Sequence, residues 1–225
     1  MSVVFAEGLS KSYRHTMVLR DVNLNIAAGE CFVLFGANGA GKTTLLRVLA
    51  TIQRPSGGRF SINGFDGVSQ RQEVRGNIFL VTHGSHLYDE LDGLENLRFA
   101  LGLRGLRPSH REFDGALERV GLAAFADLKT RYYSSGMKKR LAFAKAMLIR
   151  PRVLLLDEPY AALDEAAMDT INGFISELTR DGGAVLMSSH NRHKSARVAH
   201  RAGVLRQGVM MEIGAGELTG HDELL

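Results

Sequence analysis

The segment from Gly36 to Thr43 constrains the fold of this chain more than any other. It reads G-A-N-G-A-G-K-T and fits the pattern G-x-x-x-x-G-K-[ST]. The apolar run from Cys31 to Phe35 precedes it and predicts a buried strand. After it, the apolar residues from Thr43 to Ala50 recur at helical spacing. The sequence therefore predicts a strand, a tight loop and a helix in succession, as in an α/β fold.

The residue types of this loop suit the binding of phosphate groups. Glycine lets the backbone curl with its N–H groups inward, in conformations that a Cβ resists. The helix that follows offers the positive end of its dipole to an anion. Lys42 would reach the β and γ phosphates of a nucleotide, and the Thr43 hydroxyl would bind Mg²⁺, which indicates a P-loop NTPase. The candidate nucleotide-binding residues here are Gly36, Ala37, Asn38, Gly39, Ala40, Gly41, Lys42, Thr43 and Thr44.

A second apolar run ends in two acidic residues. Val153 to Leu156 predicts a parallel strand buried on both faces, and Asp157 and Glu158 follow it directly. Asp157 can hold Mg²⁺, and Glu158 is placed to orient or deprotonate the water that attacks the γ-phosphate. This pair favours hydrolysis of the nucleotide over transfer of a phosphoryl group to a second substrate.

Two further motifs carry a family resemblance. Tyr133-Ser134-Ser135-Gly136-Met137 precedes a helical pattern, and Ser188-Ser189-His190 follows the apolar run Ala184 to Met187. With the two motifs above, the chain resembles the ATP-binding cassette of ABC transporters over essentially its whole length. The resemblance implies an ATPase with an α/β P-loop core and an antiparallel β subdomain. It also implies a helical subdomain at about residues 84–148, within one nucleotide-binding domain spanning 1–225.

The Ser134 loop has a particular role in the family that the chain resembles. There, Ser134, Ser135 and Gly136 would complete the ATP site of a second copy, so that a homodimer encloses two nucleotides. Ser135 departs from the usual glycine and adds a Cβ where backbone and phosphate approach closely. Without the resemblance, Ser134 would be interpreted as an ordinary helix N-cap.

The resemblance assigns three more positions. Tyr13 matches the aromatic residue that stacks on adenine, and Asp164 matches a residue that crosses the dimer interface. His190 matches a histidine that contacts the γ-phosphate, which suits an imidazole because it can both donate and accept a hydrogen bond. The candidate catalytic residues are therefore Glu158, His190 and Lys42, and the candidate Mg²⁺ ligands are Thr43 and Asp157.

His83 breaks the pattern of the family, because most cassettes carry a glutamine there. Leu87-Tyr88 and the stretch from Leu94 to Phe99 follow in the expected register, so His83 stays a candidate nucleotide-site residue. Imidazole suits softer metals than Mg²⁺, and we expect hydrolysis to survive with altered coupling to the partner. In the family, the segment around His86 and Tyr88 receives a short helix of the membrane subunit.

Three alternatives remain for the function: two types of transporter ATPase and one soluble cassette. With a histidine at position 83 and a length of 225 residues, the chain resembles the ATPase subunit of the cytochrome c biogenesis haem exporter. The segment from Arg197 to Gly208 fits the ATPase of an ABC-2 type drug or polysaccharide exporter equally well. A soluble cassette acting on DNA or ribosomes is a weaker alternative, because such proteins usually carry two cassettes or long insertions.

Composition is consistent with a peripheral subunit. No stretch approaches the roughly 20 apolar residues that span a bilayer. Cys31 is the only cysteine, so no disulfide can form within the chain, which suits the cytoplasm. We expect a cytoplasmic protein on the inner face of the membrane, bound to integral membrane subunits, with ATP and Mg²⁺ and without nucleic acid. The formal charge of +4 is diffuse; Lys138-Lys139-Arg140 predicts a solvated helix face, and Arg104 to Pro108 predicts a loop.

Overall fold

The computed structural model describes residues 2–82 and 87–213, which form two compact units. The first unit comprises the residues up to Leu80, then Pro151–Glu158, and the residues from Ile175 onward. The second comprises Val81–Arg150 and Pro159–Phe174. The domain organisation expected from the sequence stays a prediction.

The described ranges contain ten strands and seven α-helices. The strands are β1 (Ser2–Tyr13), β2 (Thr16–Ala27), β3 (Cys31–Phe35), β4 (Gly57–Ile62), β5 (Phe65–Asp66), β6 (Ile78–Val81), β7 (Val153–Asp157), β8 (Ala184–Ser188), β9 (Arg201–Arg206) and β10 (Val209–Ile213). The helices are α1 (Lys42–Leu49), α2 (Arg71–Asn77), α3 (Gly93–Gly102), α4 (His110–Arg119), α5 (Ser135–Ile149), α6 (Glu165–Arg180) and α7 (Arg192–Ala196). Short 3₁₀ turns lie at Ala123–Phe125 and Thr130–Tyr132.

A four-stranded antiparallel sheet forms one layer of the first unit, in the order β2-β1-β4-β5. Near the end of β2, Val22, Leu24 and Ile26 are buried while the residues between them are exposed. This alternation places one face of the strand in the core and leaves the other in water. The buried residues join a core cluster that includes Leu45 and Leu49 of α1.

The second sheet of this unit has six strands in the order β10-β9-β3-β8-β7-β6. Every residue of β3, β7 and β8 is buried, as expected for central parallel strands covered on both faces. These are the strands that the apolar runs predicted. Because β3 and β7 each pair in parallel with β8, the carboxyl ends of all three strands lie at the same edge of the sheet.

The second unit is helical and contains α3, α4, α5 and the part of α6 up to Phe174. Capping boxes begin two of its helices, with Asp92 and Glu95 on α3 and Ser109 and Glu112 on α4. One expectation is wrong here. Lys139 of α5 is only 7% exposed, so the basic triplet is not a solvated face throughout.

These observations confirm the predicted fold class, a mixed α/β chain with an antiparallel sheet and helical elements. Across residues 2–82 and 87–213, no helix is both long and apolar enough to cross a bilayer.

Candidate functional site

The parallel strands bring three polar segments to one edge of the six-stranded sheet. The Gly36–Thr43 loop follows β3, Asp157 ends β7 and Ser188 ends β8. Asp157 and Ser188 are direct partners in the β7–β8 register. In open α/β sheets, ligands bind outside the carboxyl ends of the strands, and this edge is therefore the candidate site.

The backbone of the Gly36–Thr43 loop needs its glycines. Gly36, Gly39 and Gly41 have φ values of 149°, 82° and 109°, which side chains with a Cβ rarely adopt. A Cβ on Gly36 would lie 2.4 Å from the carbonyl oxygen of Leu205. Gly41 then begins α1 without a side-chain cap. The loop and the first turn of α1 thus keep the backbone donors that a phosphate group requires.

Lys42 is buried within this loop. Its Nζ donates to the carbonyl oxygens of Gly36 at 2.6 Å and Ala37 at 3.2 Å. The same ammonium lies 3.8 Å from Oε1 of Glu158. These contacts hold one positive charge between the loop and the acidic end of β7.

Thr43, Asp157 and Ser188 form a cluster of oxygen atoms. The Thr43 hydroxyl donates to the carboxylate of Asp157, at 3.1 Å from Oδ1 and 2.9 Å from Oδ2. Ser188 Oγ donates to Asp157 Oδ1 at 2.8 Å. These hard oxygen donors fit Mg²⁺, which is usually bound by one or two carboxylates together with substrate phosphates. In the described part of the chain, no three His, Cys, Asp or Glu side chains are grouped so that they could hold a metal ion.

Ser188 belongs to the Ser188-Ser189-His190 motif of the sequence, but no role in the site was predicted for it. Besides contacting Asp157, its Oγ accepts a hydrogen bond from the backbone N–H of Glu158 at 3.1 Å. The carbonyl oxygen of Ser188 also lies 3.2 Å from that nitrogen. One side chain therefore positions both acids. Its place immediately before Ser189-His190, at the end of an apolar strand, was the signal available.

Glu158 and His190 form the second half of the site. Glu158 has a φ of 48°, in the left-handed region that non-glycine residues seldom occupy. His190 Nδ1 lies 2.8 Å from Glu158 Oε2, and the backbone nitrogen of His190 donates to the same oxygen at 3.4 Å. The side chain of Glu158 is 15% exposed and that of His190 is 65% exposed. The carboxylate is thus enclosed and held, while the imidazole faces solvent.

Tyr13 ends β1, and its exposed ring is fixed from two directions. Its hydroxyl donates to Oε1 of Gln53. Lys11 Nζ lies 5.1 Å from the ring centroid and donates to the carbonyl oxygen of Arg54 at 2.8 Å. One face of the ring is therefore near Lys11, and the hydroxyl is bound to the turn that follows α1. Lys11 and Gln53 were not predicted from the sequence as residues that contact Tyr13.

The Ser134 loop and Asp164 lie in the second unit. Ser134 Oγ accepts from the N–H of Met137 at 3.2 Å and caps α5, while Ser134 and Ser135 are both exposed. A Cβ on Gly136 would lie 2.6 Å from the carbonyl oxygen of Ala162. Asp164 Oδ1 accepts from the N–H of Ala167 at 2.8 Å at the start of α6.

The candidates divide between the two units. Those after β3, β7 and β8 lie in the first unit, where contacts join Lys42, Thr43, Asp157, Glu158 and His190. His83, the position that departs from the family pattern, lies outside the described residues, as does His86.

Comparison with known proteins places this geometry in a family. The family described as ABC transporter matches residues 19–161. The cytochrome c biogenesis ATP-binding export protein CcmA of Methylococcus capsulatus is 37% identical over 83% of this chain and 90% of its own. The daunorubicin resistance ATP-binding protein DrrA3 of Streptomyces coeruleorubidus is 34% identical over 99% of this chain and 72% of its own.

Relatives also include import proteins. The phosphonates import ATP-binding protein PhnC of Frankia casuarinae is 37% identical over 97% of this chain and 92% of its own. Among solved structures, the ATP-binding cassette MJ0796, as a dimer in a post-hydrolysis state with ADP and Pi, superposes with a TM-score of 0.84. It is 25% identical over 94% of this chain and 98% of its own. By its motifs, its fold and these relatives, the chain belongs to the ABC transporter family, as one of its ATP-binding, ATP-hydrolysing subunits.

Proposed function

We propose that this chain hydrolyses ATP at the edge formed by β3, β7 and β8, and that hydrolysis drives export through separate membrane subunits. The observation that carries the site is the contact network among Lys42, Thr43, Asp157, Glu158 and His190. A cation, a metal-binding oxygen pair and an enclosed carboxylate are the groups that phosphoryl transfer to water requires.

The phosphate groups of ATP are held by the loop from Gly36 to Thr44. Its N–H groups and the start of α1 bind the oxygens, and Lys42 supplies the charge for the β and γ phosphates. Thr43 and Asp157 would hold Mg²⁺, and the bound ion would supply positive charge against the phosphate groups. Ser188 fixes Asp157 for this task through its 2.8 Å hydrogen bond. Tyr13 stacks on the adenine with the ring face that Lys11 does not approach.

Glu158 orients the attacking water and accepts its proton. Its carboxylate is enclosed and bonded to His190, so it keeps one position relative to the loop. A positioned base of this kind typically contributes about 10²–10⁴-fold to a rate. His190 holds Glu158 and supports the negative charge that develops on the γ-phosphate.

A second copy of the chain completes each site. Ser134, Ser135 and Gly136 lie at the exposed N-terminus of α5, which suits contact with the γ-phosphate bound by the partner copy. Asp164 crosses the same interface. The dimeric state of the MJ0796 cassette supports this arrangement. The family usually has glycine at the position of Ser135. The Cβ of Ser135 therefore leaves less space between the backbone of this loop and the γ-phosphate.

Membrane subunits dock on an exposed aromatic pair of the second unit. Tyr88 and Phe99 are 54% and 42% exposed, and their rings meet edge to face with centroids 4.7 Å apart. The backbone of Tyr88 is held by Asn96 and Thr130, so the pair has a fixed position. Such a rigid aromatic surface fits a short helix of another protein.

We also propose which class of substrate the transporter exports. Similarity to the cytochrome c biogenesis export protein CcmA over 83% of this chain supports export in cytochrome c biogenesis, for which we propose haem as the substrate. Similarity to DrrA3 over 99% of this chain supports the second candidate, a drug exporter of the ABC-2 type. The membrane subunits select the substrate in either case, so their identity decides between the two.

The test is a pull-down of the tagged chain from gently solubilised host membranes, with mass spectrometry of the bound proteins. The variant Glu158→Gln with ATP is run in parallel to trap the closed dimer, and Tyr88→Ser serves as the docking control. Small multispanning proteins that are lost with Tyr88→Ser are the expected result, and their family distinguishes haem export from drug export. Ribosomal or DNA-repair proteins without a membrane partner would contradict the transporter proposal.

A further inference from the structure

A basic segment without acidic residues lies in the second unit, from Asn96 to Arg111. It carries four arginines and neither Asp nor Glu, although Asp and Glu flank it on both sides in the sequence. All four arginine residues are exposed, although the guanidinium of Arg104 is partly covered and this burial lowers its pKa. The proposed ATPase mechanism uses none of them. The arginines are Arg98, Arg104, Arg107 and Arg111.

Large apolar side chains face solvent within the same segment. Leu103 is 73% exposed, the highest value among the exposed large hydrophobic residues of the described ranges. Leu106 is 38% exposed and Phe99 is 42% exposed. Phe99 and Leu103 are four residues apart at the end of α3, so they lie on one face of the helix. We call Arg98, Leu103, Arg104, Leu106 and Arg107 the basic apolar patch; Phe99 beside it belongs to the aromatic pair with Tyr88.

The turn that carries this patch is well ordered by hydrogen bonds. Gly105 has a φ of 72°, and its N–H donates to the carbonyl oxygen of Gly102 at 3.0 Å. The N–H of Leu106 donates to the carbonyl oxygen of Leu101 at 3.0 Å. These two bonds define a Schellman motif, in which the residue at the place of Leu106 is commonly apolar because it contacts the one at the place of Leu101. The motif explains Leu106 but gives no reason for a leucine at position 103.

We propose that the basic apolar patch binds the surface of an anionic lipid bilayer. The arginines pair with headgroup phosphates, and Leu103 and Leu106 enter the boundary between headgroups and acyl chains. Basic charge and exposed apolar side chains together are the combination that holds peripheral proteins on anionic membranes. This role goes beyond the proposed function, which involves the nucleotide and membrane proteins but no lipid.

Nucleic acid matches the patch less well than lipid does. A phosphate backbone would bind the arginines, but single-stranded nucleic acid is held by stacking of bases on aromatic rings. Leu103 and Leu106 offer no such platform, and Phe99 is already packed against Tyr88. A bilayer surface accommodates both the charge and the aliphatic side chains.

The test is co-sedimentation of the full chain with vesicles made of equal parts phosphatidylglycerol and phosphatidylcholine, and with phosphatidylcholine vesicles alone. We expect preferential binding to the anionic vesicles, weakened by salt. Leu103→Ser should lower the affinity by about tenfold, because a buried apolar side chain is lost. Arg107→Gln should lower it by about fivefold, the contribution of one basic residue near an anionic surface.

Two substitutions outside the patch serve as matched controls. Met211→Ser removes an apolar side chain that is 52% exposed, and Arg180→Gln removes an exposed arginine at the end of α6. Both should bind the anionic vesicles as the parent chain does. Because Leu103 and Arg107 are exposed, their variants should keep the parental melting temperature.

Equal binding to both kinds of vesicle would overturn the proposal, as would patch variants that bind like the controls. Titration with a labelled DNA oligonucleotide tests whether the patch binds nucleic acid instead of lipid. Patch variants that lose DNA binding but keep vesicle binding would assign the patch to nucleic acid instead. Neither measurement depends on ATP hydrolysis, so failure here leaves the proposed function untouched.

Discussion

His190 Nδ1 lies 2.8 Å from Oε2 of Glu158, and the two residues follow neighbouring parallel strands, β8 and β7. On its other side, the Glu158 carboxylate lies 3.8 Å from the ammonium of Lys42. The carboxylate is therefore held between an imidazole and a cation. In the proposed mechanism this arrangement places the base beside the γ-phosphate.

Replacing His190 tests whether this contact matters for catalysis. We expect His190→Ala to lower kcat by about 100-fold or more, because Glu158 loses its positioning partner and the γ-phosphate loses a donor. ATP affinity should change little, since Lys42 and the loop remain. Steady-state ATPase kinetics measure both quantities. His193→Ala, an exposed histidine on α7, is the matched control and should leave kcat unchanged. A parental kcat for His190→Ala would remove His190 from the mechanism.

Ser188→Ala tests the residue that positions both acids. Its hydroxyl is buried and bonds to Asp157 and to the N–H of Glu158, so the variant should lose about 1–3 kcal/mol of stability. It should also need more Mg²⁺ for ATP binding, because Asp157 is less well fixed. Urea unfolding and Mg²⁺ titration of nucleotide binding measure the two effects. Ser189→Ala, which loses only its bonds to Asn191, should need no additional Mg²⁺. An unchanged Mg²⁺ requirement in Ser188→Ala would contradict the assignment.

The same substitution of glycine should have opposite effects at two positions. Gly36→Ala places a Cβ 2.4 Å from the Leu205 carbonyl oxygen at a φ of 149°. It should distort the loop, at a cost of about 1–3 kcal/mol, and weaken ATP binding. Gly173→Ala, within α6 and with open space around it, should stabilise the protein by about 0.5–1 kcal/mol. Thermal unfolding measures the stability of the two variants, and ATP titration measures their ATP affinity. Equal ATP affinity in the two variants would contradict the role of Gly36.

Lys145 makes the free energy of unfolding depend on pH. Burial lowers the pKa of Lys145 to about 8, whereas an unfolded lysine titrates near 10.5. Below about pH 8 the charged form is destabilised in the folded state, and this cost is relieved as the pH rises toward 10.5. Lys145→Met should therefore raise stability at neutral pH by about 1–3 kcal/mol and remove this rise.

Urea unfolding across this pH range checks the lysine prediction. Lys194→Met, an exposed lysine on α7, is the control and should keep the pH dependence of the parent chain. A Lys145→Met variant with that same dependence would show that Lys145 does not cause it.

The sequence predicted the elements that depend on local pattern. The continuous apolar runs of β3, β7 and β8 and the glycine-rich loop each occupy a few consecutive residues, and the structure has them at those positions. Contacts between distant segments were not predictable in the same way. Ser188 reaches Asp157 only through the β7–β8 register, and Tyr13 meets Gln53 across 40 residues of chain. Lys139 was expected in solvent, but helix packing buries it.

ATP hydrolysis by Glu158→Gln is the most direct test of the central claim. The substitution keeps the size of the side chain but removes the base, so we expect the rate to fall by about 10²-fold or more. ATP binding should persist, because Lys42, Thr43 and Asp157 remain in place, and ATP should then trap the dimer, which gel filtration detects. Glu165→Gln at the start of α6 is the matched control. Hydrolysis at the parental rate in Glu158→Gln would contradict the assignment of Glu158 as the base.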